Sequence, residues 1–340
     1  CLVGSEMCIR DRFSYVIKEL TPSTTYTVWV EVSDKAGNKA KYPEKTFTTA
    51  KKEEPKTEEL NTSHYIVLTT KKAVGEKIEL DIYAFDEYKA GVWLDLNGNG
   101  KWDEGIDQKP KNSNDFTSFL LQAQTFKIYG KVWSLSCGDN LLSAIDISHN
   151  PALIDLDAIN NKLPSIAHLE HLKRLAIDSH TLKNSQLPQG LTYLNVNETT
   201  PLTTINTSSF TKLQTLIVSE CKSIKSLDLS NNKKLQRLFV DNTGLTTLDL
   251  SHQPQLESLY ASFTPLTKLN IEGNKALDYV VVQLTEEGDG LQGSALIDFI
   301  NQLPTYKEGE EGNISLSPDQ VTEEVKGLLE GKFWKVNLLD

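Results

Sequence analysis

Residues 235–250 read LQRLFVDNTGLTTLDL, a stretch with apolar side chains at positions one, four, six, eleven, fourteen and sixteen. A similar pattern recurs between residues 132 and 284, with eight starting residues: Val132, Leu153, Leu172, Leu191, Leu213, Leu235, Leu256 and Leu277. The intervals between successive starts are 21, 19, 19, 22, 22, 21 and 21 residues. Repetition at a nearly constant period indicates stacked structural repeats, each of which buries its apolar side against its neighbours.

The apolar positions predict how one repeat folds. Positions one, four and six point inward from a short strand, and positions eleven, fourteen and sixteen fill the coil from the other side. Burial of six such groups contributes on the order of 10 kcal/mol, most of which is offset by the entropy of ordering about 21 residues. A single coil is therefore unstable, and both ends of the stack need covering. We expect residues 63–131 and 291–340 to provide that cover.

The repeats resemble leucine-rich repeats, and more closely the 21 to 22 residue type found in internalin-like bacterial surface proteins. The resemblance implies an α/β fold: a leucine-rich repeat solenoid at 132–290, with a β-rich cap at 63–131 and an αβ cap at 291–340. The ninth position of such repeats normally carries a buried Asn that bonds to neighbouring backbone. Here that position holds Asn140, Asn161, His180, Thr199, Cys221, Thr243, Thr264 and Thr285.

The regions that flank the repeats have patterns of their own. We expect strands at 65–69, 78–83, 91–96 and 119–129, and after the repeats helices at 295–303 and 319–329 with a closing strand at 333–338. Residues 13–50 alternate apolar and polar side chains and include Leu20, Pro22, Thr24 and Tyr26. This segment resembles the second half of a fibronectin type III domain, which implies a spacer. Residues 51–62 form a charged linker, and residues 1–12 read as a non-native, adapter-like segment.

Residues 95–107, DLNGNGKWDEGID, place oxygen-bearing side chains at alternate positions with Gly at the sixth. This spacing is typical of calcium loops. The candidate ligands are Asp95, Asn97, Asn99, the carbonyl of Lys101, Asp103 and Asp107. The twelfth position, where such loops place a bidentate Glu, holds Ile106. The alternative is a β-hairpin turn, whose Asn-Gly pairs would supply positive φ angles. Calcium is the one cofactor that the sequence indicates.

Composition and motifs exclude several classes of function. The 340 residues carry 35 Lys and Arg against 46 Asp and Glu, a net charge of −11, which disfavours binding to nucleic acid. No apolar run is long enough to span a membrane. Cys1, Cys8, Cys137 and Cys221 are too few and too scattered for a disulfide framework or a paired metal site. Nucleophile, phosphate-binding and dinucleotide-binding motifs are missing, so we expect no enzymatic activity.

The remaining candidate is the concave sheet, whose outward side chains come from the third and fifth positions of each strand. Its later coils concentrate aromatic side chains and an arginine, which are typical of protein interfaces. The predicted ligand-binding residues are Tyr193, Arg237, Phe239, Tyr260, Phe263 and Tyr279. We therefore expect an exported or cell-surface protein that binds another protein. Two alternatives stay open: a carbohydrate-binding module that stacks sugars on these rings, and a structural stalk.

Overall fold

A computed structural model describes residues 24–29, 31–33, 37–41, 43–49, 62–110, 116–183 and 185–338. The chain forms two compact units, Cys1–Glu59 and Leu60–Asp340. The predicted segment 1–12, the first part of the fibronectin-like segment and all of the predicted linker except residue 62 lie outside the described residues.

The described residues of the first unit form four short strands: β1 (Thr25–Val28), β2 (Glu31–Ser33), β3 (Lys39–Lys41) and β4 (Lys45–Thr48). Strand β1 pairs antiparallel with β4, and β2 pairs antiparallel with β3. Tyr26 stacks on Phe47 with 6.0 Å between ring centroids, while 54% of the Trp29 surface is exposed. No hydrophobic side chain is fully buried among the described residues of this unit. The fibronectin type III resemblance stays a prediction.

Within 62–131 the described residues form five strands: β5 (Tyr65–Thr70), β6 (Lys77–Ala84), β7 (Trp93–Asp95), β8 (Thr117–Leu120) and β9 (Thr125–Tyr129). The single strand predicted at 119–129 is wrong, because a turn whose Gln122 and Ala123 amides donate to the Leu96 carbonyl divides it into β8 and β9. Strand β6 pairs antiparallel with the first repeat strand, so this block continues the repeat sheet.

The repeat region follows. Each coil contributes one strand to a shared sheet, and the strands of successive coils run parallel. Its elements are β10 (Val132–Ser136), β11 (Leu142–Asp146), β12 (Asp155–Asp157), β13 (Arg174–Asp178), α1 (Ser179–Lys183), β14 (Tyr193–Asn197), β15 (Thr215–Ile217), β16 (Arg237–Phe239), β17 (Thr247–Asp249), β18 (Ser258–Tyr260), β19 (Lys268–Asn270) and β20 (Tyr279–Val281). From coil to coil the fourth-position residues pair directly, as Leu216 does with Leu238 and Leu238 with Leu259. These three leucines are fully buried. The predicted leucine-rich repeat is thus present as a ladder of parallel strands in constant register.

The segment after the repeats contains α2 (Gly293–Gln302), β21 (Gly312–Leu316), α3 (Glu323–Glu330) and β22 (Trp334–Leu338). Both helices lie close to their predicted positions, and the Thr322 hydroxyl caps α3 by accepting from the Val325 amide at 3.2 Å. Strand β21, which the sequence analysis missed, pairs parallel with both β20 and β22. In the described part of the chain the repeat sheet therefore has twelve strands, in the order β22-β21-β20-β18-β16-β15-β14-β13-β12-β10-β6-β8. None of the described helices is long and apolar enough to cross a membrane.

Buried side-chain amides hold the first two coils together. The Asn161 amide nitrogen donates to the carbonyls of Cys137, Ala158 and Ile159 at 3.1, 3.0 and 3.1 Å. Its oxygen accepts from the backbone amides of Asn140 and Leu142 at 3.3 and 2.8 Å. In this way the ninth-position asparagine satisfies polar groups of two neighbouring coils at once.

In later coils the ninth-position side chain makes fewer such hydrogen bonds. The hydroxyls of Thr243 and Thr264 each donate to the carbonyl three residues earlier, at 2.8 and 2.7 Å. His180 and Thr199, which hold the ninth position in two coils, do not take the place of the usual Asn: their side chains bond to each other at 2.8 Å and neither is buried. In the coil that starts at Leu172, α1 directly follows the strand. Thr181 takes the buried place and donates to the Leu163 carbonyl.

Candidate recognition surface

One face of the twelve-stranded sheet is turned away from the core; we call it the open face. It presents a third-position row and a fifth-position row of side chains, which alternate along each strand with the buried fourth position. The third-position row is Ser134, Asp155, Arg174, Tyr193, Thr215, Arg237, Ser258, Tyr279, Asn313 and Lys335. The fifth-position row is Ser136, Asp157, Ala176, Asn195, Ile217, Phe239, Tyr260, Val281, Ser315 and Asn337. Two predicted outward residues are buried, Ala176 at 6% exposure and Val281 at 7%.

Three predicted site residues form one contiguous group, the aromatic array of Phe239, Tyr260 and Tyr279. Phe239 and Tyr260 lie directly opposite each other on β16 and β18, and their rings stack at 4.4 Å with an interplanar angle of 11°. Tyr279 lies 5.3 Å from Tyr260, tilted by 36°. Because each ring covers the face of its neighbour, the stacked rings present mainly their edges to solvent. Desolvation raises the pKa of the Tyr260 hydroxyl, with a further contribution from Tyr279.

Phe263 is exposed over 44% of its surface and has a backbone φ of +56°. Equivalent positions in four other coils also have positive φ, and those coils use polar residues there: Asp139, Asn160, Glu220 and Asn242. Asn and Asp tolerate this left-handed conformation, whereas a bulky aromatic residue rarely adopts it. Backbone preference alone therefore does not explain Phe263.

Tyr193, also predicted as a site residue, does not join the aromatic array. It lies on β14, and the guanidinium of Arg174 sits 3.9 Å from its ring centroid. The same guanidinium bonds to Asp155 at 3.2 Å. Tyr193, Arg174 and Asp155 are neighbours in the third-position row. The positive charge of Arg174 is therefore balanced within the sheet, by the Asp155 carboxylate on one side and the Tyr193 ring on the other.

Arg237 occupies the same row position as Arg174 but has a different environment. It is exposed, and among the described residues no carboxylate forms an ion pair with it within 4.0 Å. Asp241, on the same coil, instead accepts from the Ser262 amide at 2.9 Å and the Ser219 hydroxyl at 3.2 Å. Burial raises the pKa of Asp241 despite these bonds.

The first coils carry an acidic section of the open face. Desolvation raises the pKa of both Asp155 and Asp157, against the opposing effects of Arg174 and of the Ile159 amide respectively. The open face thus changes in character along the sheet, from acidic and small side chains in the first coils to aromatic ones in the later coils.

A second group of aromatic side chains was missed by the sequence analysis. Trp133 lies 5.7 Å from Tyr83 and 5.9 Å from Phe85, and Phe85 is 52% exposed. This group arises from the pairing of β6 with β10, a non-local contact that the repeat period does not encode.

The predicted calcium loop is folded around its own acidic side chains. Asp95 is fully buried and accepts from the amides of Asn99 and Gly100 at 3.1 and 2.8 Å. Asp107 accepts from the amides of Leu96 and Asp103 at 2.9 and 2.7 Å, and desolvation raises its pKa.

The third carboxylate of the loop, Asp103, faces the amide groups of Asn97 and Asn99, at 2.6 and 2.5 Å from their nitrogens. These bonds lower its pKa. The amide of Lys101 donates to the Asn99 side chain at 2.8 Å. No group of three or more His, Cys, Asp or Glu side chains suited to a metal ion occurs in the described part of the chain. Hydrogen bonds to Asp95, Asp103 and Asp107 hold the loop in its conformation, and calcium binding stays a prediction.

Both described cysteines, Cys137 and Cys221, are buried free thiols. Desolvation raises the pKa of Cys221 to about 12 and that of Cys137 further. The Cys221 thiol donates to the Val196 carbonyl at 3.4 Å, in the ninth-position place.

The chain is similar in structure to several proteins of known structure. No family model and no curated protein matches the chain. Solved structures that match include an internalin (InlF) from Listeria monocytogenes, with 16% identity over 61% of this chain and 60% of that one, at a TM-score of 0.36. The functional domain of InlJ from the same species, which includes a cysteine ladder, matches at 18% identity over 62% and 55% of the chains, with a TM-score of 0.35.

A leucine-rich repeat protein from Leptospira interrogans matches at 14% identity over 60% of this chain and 66% of that one, with a TM-score of 0.32. The chain therefore spans between about half and two thirds of the length of these three structures.

Proposed function

We propose that the chain is a recognition module, without catalytic activity, that binds another protein through the aromatic part of its open face. The observation that carries this proposal is the continuous row of Ile217, Phe239 and Tyr260 on adjacent strands, bordered by Tyr279 and Arg237. Large aromatic side chains next to an arginine contribute much of the binding energy at protein interfaces, because they bury a large area with few rotatable bonds.

Phe263 supports the proposal independently of strand packing. Cross-strand stacking accounts for the position of Phe239 and Tyr260, since aromatic pairs stabilise neighbouring strands. It does not account for an exposed phenylalanine in a left-handed backbone position that other coils fill with polar residues. A contact with another molecule would explain why a phenylalanine occupies this site.

The ring geometry favours a protein over a carbohydrate. A sugar stacks on an open aromatic face, but the facing sides of Phe239 and Tyr260 cover each other at 4.4 Å. Ring edges and an aliphatic neighbour, Ile217, offer instead a ridge on which apolar side chains of a protein can pack. The inferred setting is the cell surface or the extracellular space, in keeping with the family resemblance of the repeats.

The test is binding of the whole chain to arrays of extracellular proteins and of glycans. A triple variant, Arg237→Ala with Phe239→Ala and Tyr260→Ala, is compared with a matched triple on the same face, Ser134→Ala with Asp155→Ala and Asn195→Ala. We expect protein signals that the first triple abolishes and the second retains. Glycan signals lost in the first triple would favour the carbohydrate alternative, and signals unaffected by it, or none, would favour a stalk.

We further propose that loop 95–107 binds calcium as a structural ion. Asp95, Asp103 and Asp107 lie within one tight loop, and rotation of the Asn97 and Asn99 amides would turn their oxygens toward Asp103. Trp102 of this loop packs edge-on against the buried Trp93 at 5.8 Å. A bound ion would stiffen the block that adjoins the first repeat.

A further inference from the structure

The third-position row of the open face contains three cationic side chains, Arg174, Arg237 and Lys335. Two of them have partners within the chain. Arg174 bonds to Asp155 at 3.2 Å, and Lys335 pairs with Glu311 at 2.6 Å. Arg237 is the only one of the three without an ion pair among the described residues. The chain has a net charge of −11, yet the Arg237 guanidinium is a positive charge on the open face without an ion-pair partner among the described residues.

The position of Arg237 places this charge beside apolar surface. Arg237 and Phe239 project from the same side of β16, two residues and therefore about 7 Å apart along the strand. Tyr260 lies opposite Phe239 on the next strand. The Asp241 carboxylate on the same coil is bonded to Ser219 and Ser262.

From these contacts we infer that the partner presents an Asp or Glu carboxylate to Arg237, about 7 Å from an apolar or aromatic side chain that packs on Phe239 and Tyr260. The inference rests on the proposed protein-binding function and specifies the chemistry of its partner. A guanidinium forms two parallel hydrogen bonds with a carboxylate, and a surrounding apolar surface strengthens them by excluding water. Highly charged polyanions are disfavoured, because the chain as a whole is strongly negative.

The experiment uses a phage-displayed library of random 16-residue linear peptides, selected on the immobilised full chain. Selected peptides are synthesised, and their affinity is measured for the wild type, Arg237→Gln, Arg174→Gln and Phe239→Ala. Arg174 is the matched control, because it has the same row position and is already paired. Thermal unfolding of each variant verifies that the fold is intact.

We expect selected sequences to contain Asp or Glu close to an aromatic or large aliphatic residue. A hydrogen-bonded pair of charges contributes about 1.5–3 kcal/mol, so Arg237→Gln should weaken binding roughly 10- to 150-fold. Arg174→Gln should change it less than about twofold. Replacing the peptide carboxylate with its amide should remove the difference between wild type and Arg237→Gln.

Two outcomes would overturn the inference in distinguishable ways. Peptides that lose affinity with Phe239→Ala but not with Arg237→Gln, or that are rich in Lys and Arg, refute the carboxylate partner and leave the protein-binding function intact. If no peptide is enriched, or if the enriched peptides are insensitive to both substitutions, the inference and the proposed binding surface both fail.

Discussion

Replacement of Asn161 tests the hydrogen bonds between neighbouring coils, which keep the rows of the open face in register. This side chain is 4% exposed and takes part in five hydrogen bonds to backbone groups of two coils. In Asn161→Ala, the amides of Asn140 and Leu142 lose their bond to the side-chain oxygen. At about 1–3 kcal/mol for each buried donor left without a partner, the free energy of unfolding should fall by roughly 2–6 kcal/mol.

Two further substitutions should reduce stability by smaller amounts, because each removes fewer hydrogen bonds. In Asn161→Thr a hydroxyl can restore one backbone bond, as Thr264 does with the Ala261 carbonyl at 2.7 Å, so the loss should be intermediate. Thr264→Val removes that one bond with little change of shape and should cost about 0.5–1.5 kcal/mol. We expect the largest loss of stability for Asn161→Ala, a smaller one for Asn161→Thr and the smallest for Thr264→Val.

Urea unfolding followed by tryptophan fluorescence and circular dichroism measures these differences. For a unit of this size each kcal/mol lowers the melting temperature by about 2–4 °C, which separates the extremes clearly. Equal losses for Asn161→Ala and Thr264→Val would rule out a special role for Asn161, because the side chain that bonds two coils would then contribute no more than one that bonds within a single coil.

Three further predictions concern the loop, the half-buried Asp241 and the Cys221 thiol. Calcium should raise the melting temperature and change Trp102 fluorescence in the wild type but not in Asp103→Asn, whereas Asp146→Asn, an exposed control at the end of β11, should keep the response. An unchanged wild-type melting temperature in excess calcium would refute calcium binding. Burial raises the pKa of Asp241 in the folded state, so its contribution to stability is greatest when it is protonated and is lost as pH rises from about 4 through the folded pKa. Asp241→Asn should flatten that part of the urea-derived pH profile, and an unaltered slope would contradict the assignment. In a variant with Cys1 and Cys8 replaced by Ser, Cys221 should resist a thiol reagent until urea unfolds the chain, and fast labelling of the native protein would show that it is accessible.

The repeat period predicted the inward positions well, because burial of one strand face fixes which side chains point to the core. Leu216, Leu238 and Leu259 occupy the fourth position and are fully buried, and Phe239 and Tyr260 lie on the opposite face. The stacking of these two rings follows from the same register, since equal positions on neighbouring parallel strands are direct neighbours.

Other features depend on contacts that the period does not contain. Strand β6 joins the repeat sheet by antiparallel pairing and brings Tyr83 beside Trp133, a non-local event. Strand β21 lies in a segment without repeat spacing. The pairing of Arg174 with Asp155 and Tyr193 could have been predicted by reading third positions across coils, and this comparison also identifies Arg237 as the exception.

Hydroxyl-radical footprinting of the chain, free and bound to a protein identified on the array, tests the binding surface most directly because it records the exposure of individual aromatic side chains. In the free chain Phe239, Tyr260 and Phe263 should be oxidised and the buried Phe126 should not. Binding should protect Phe239, Tyr260, Phe263 and Tyr279 while oxidation of Phe333 stays unchanged. Protection of Phe333 with continued oxidation of the aromatic array would contradict the account.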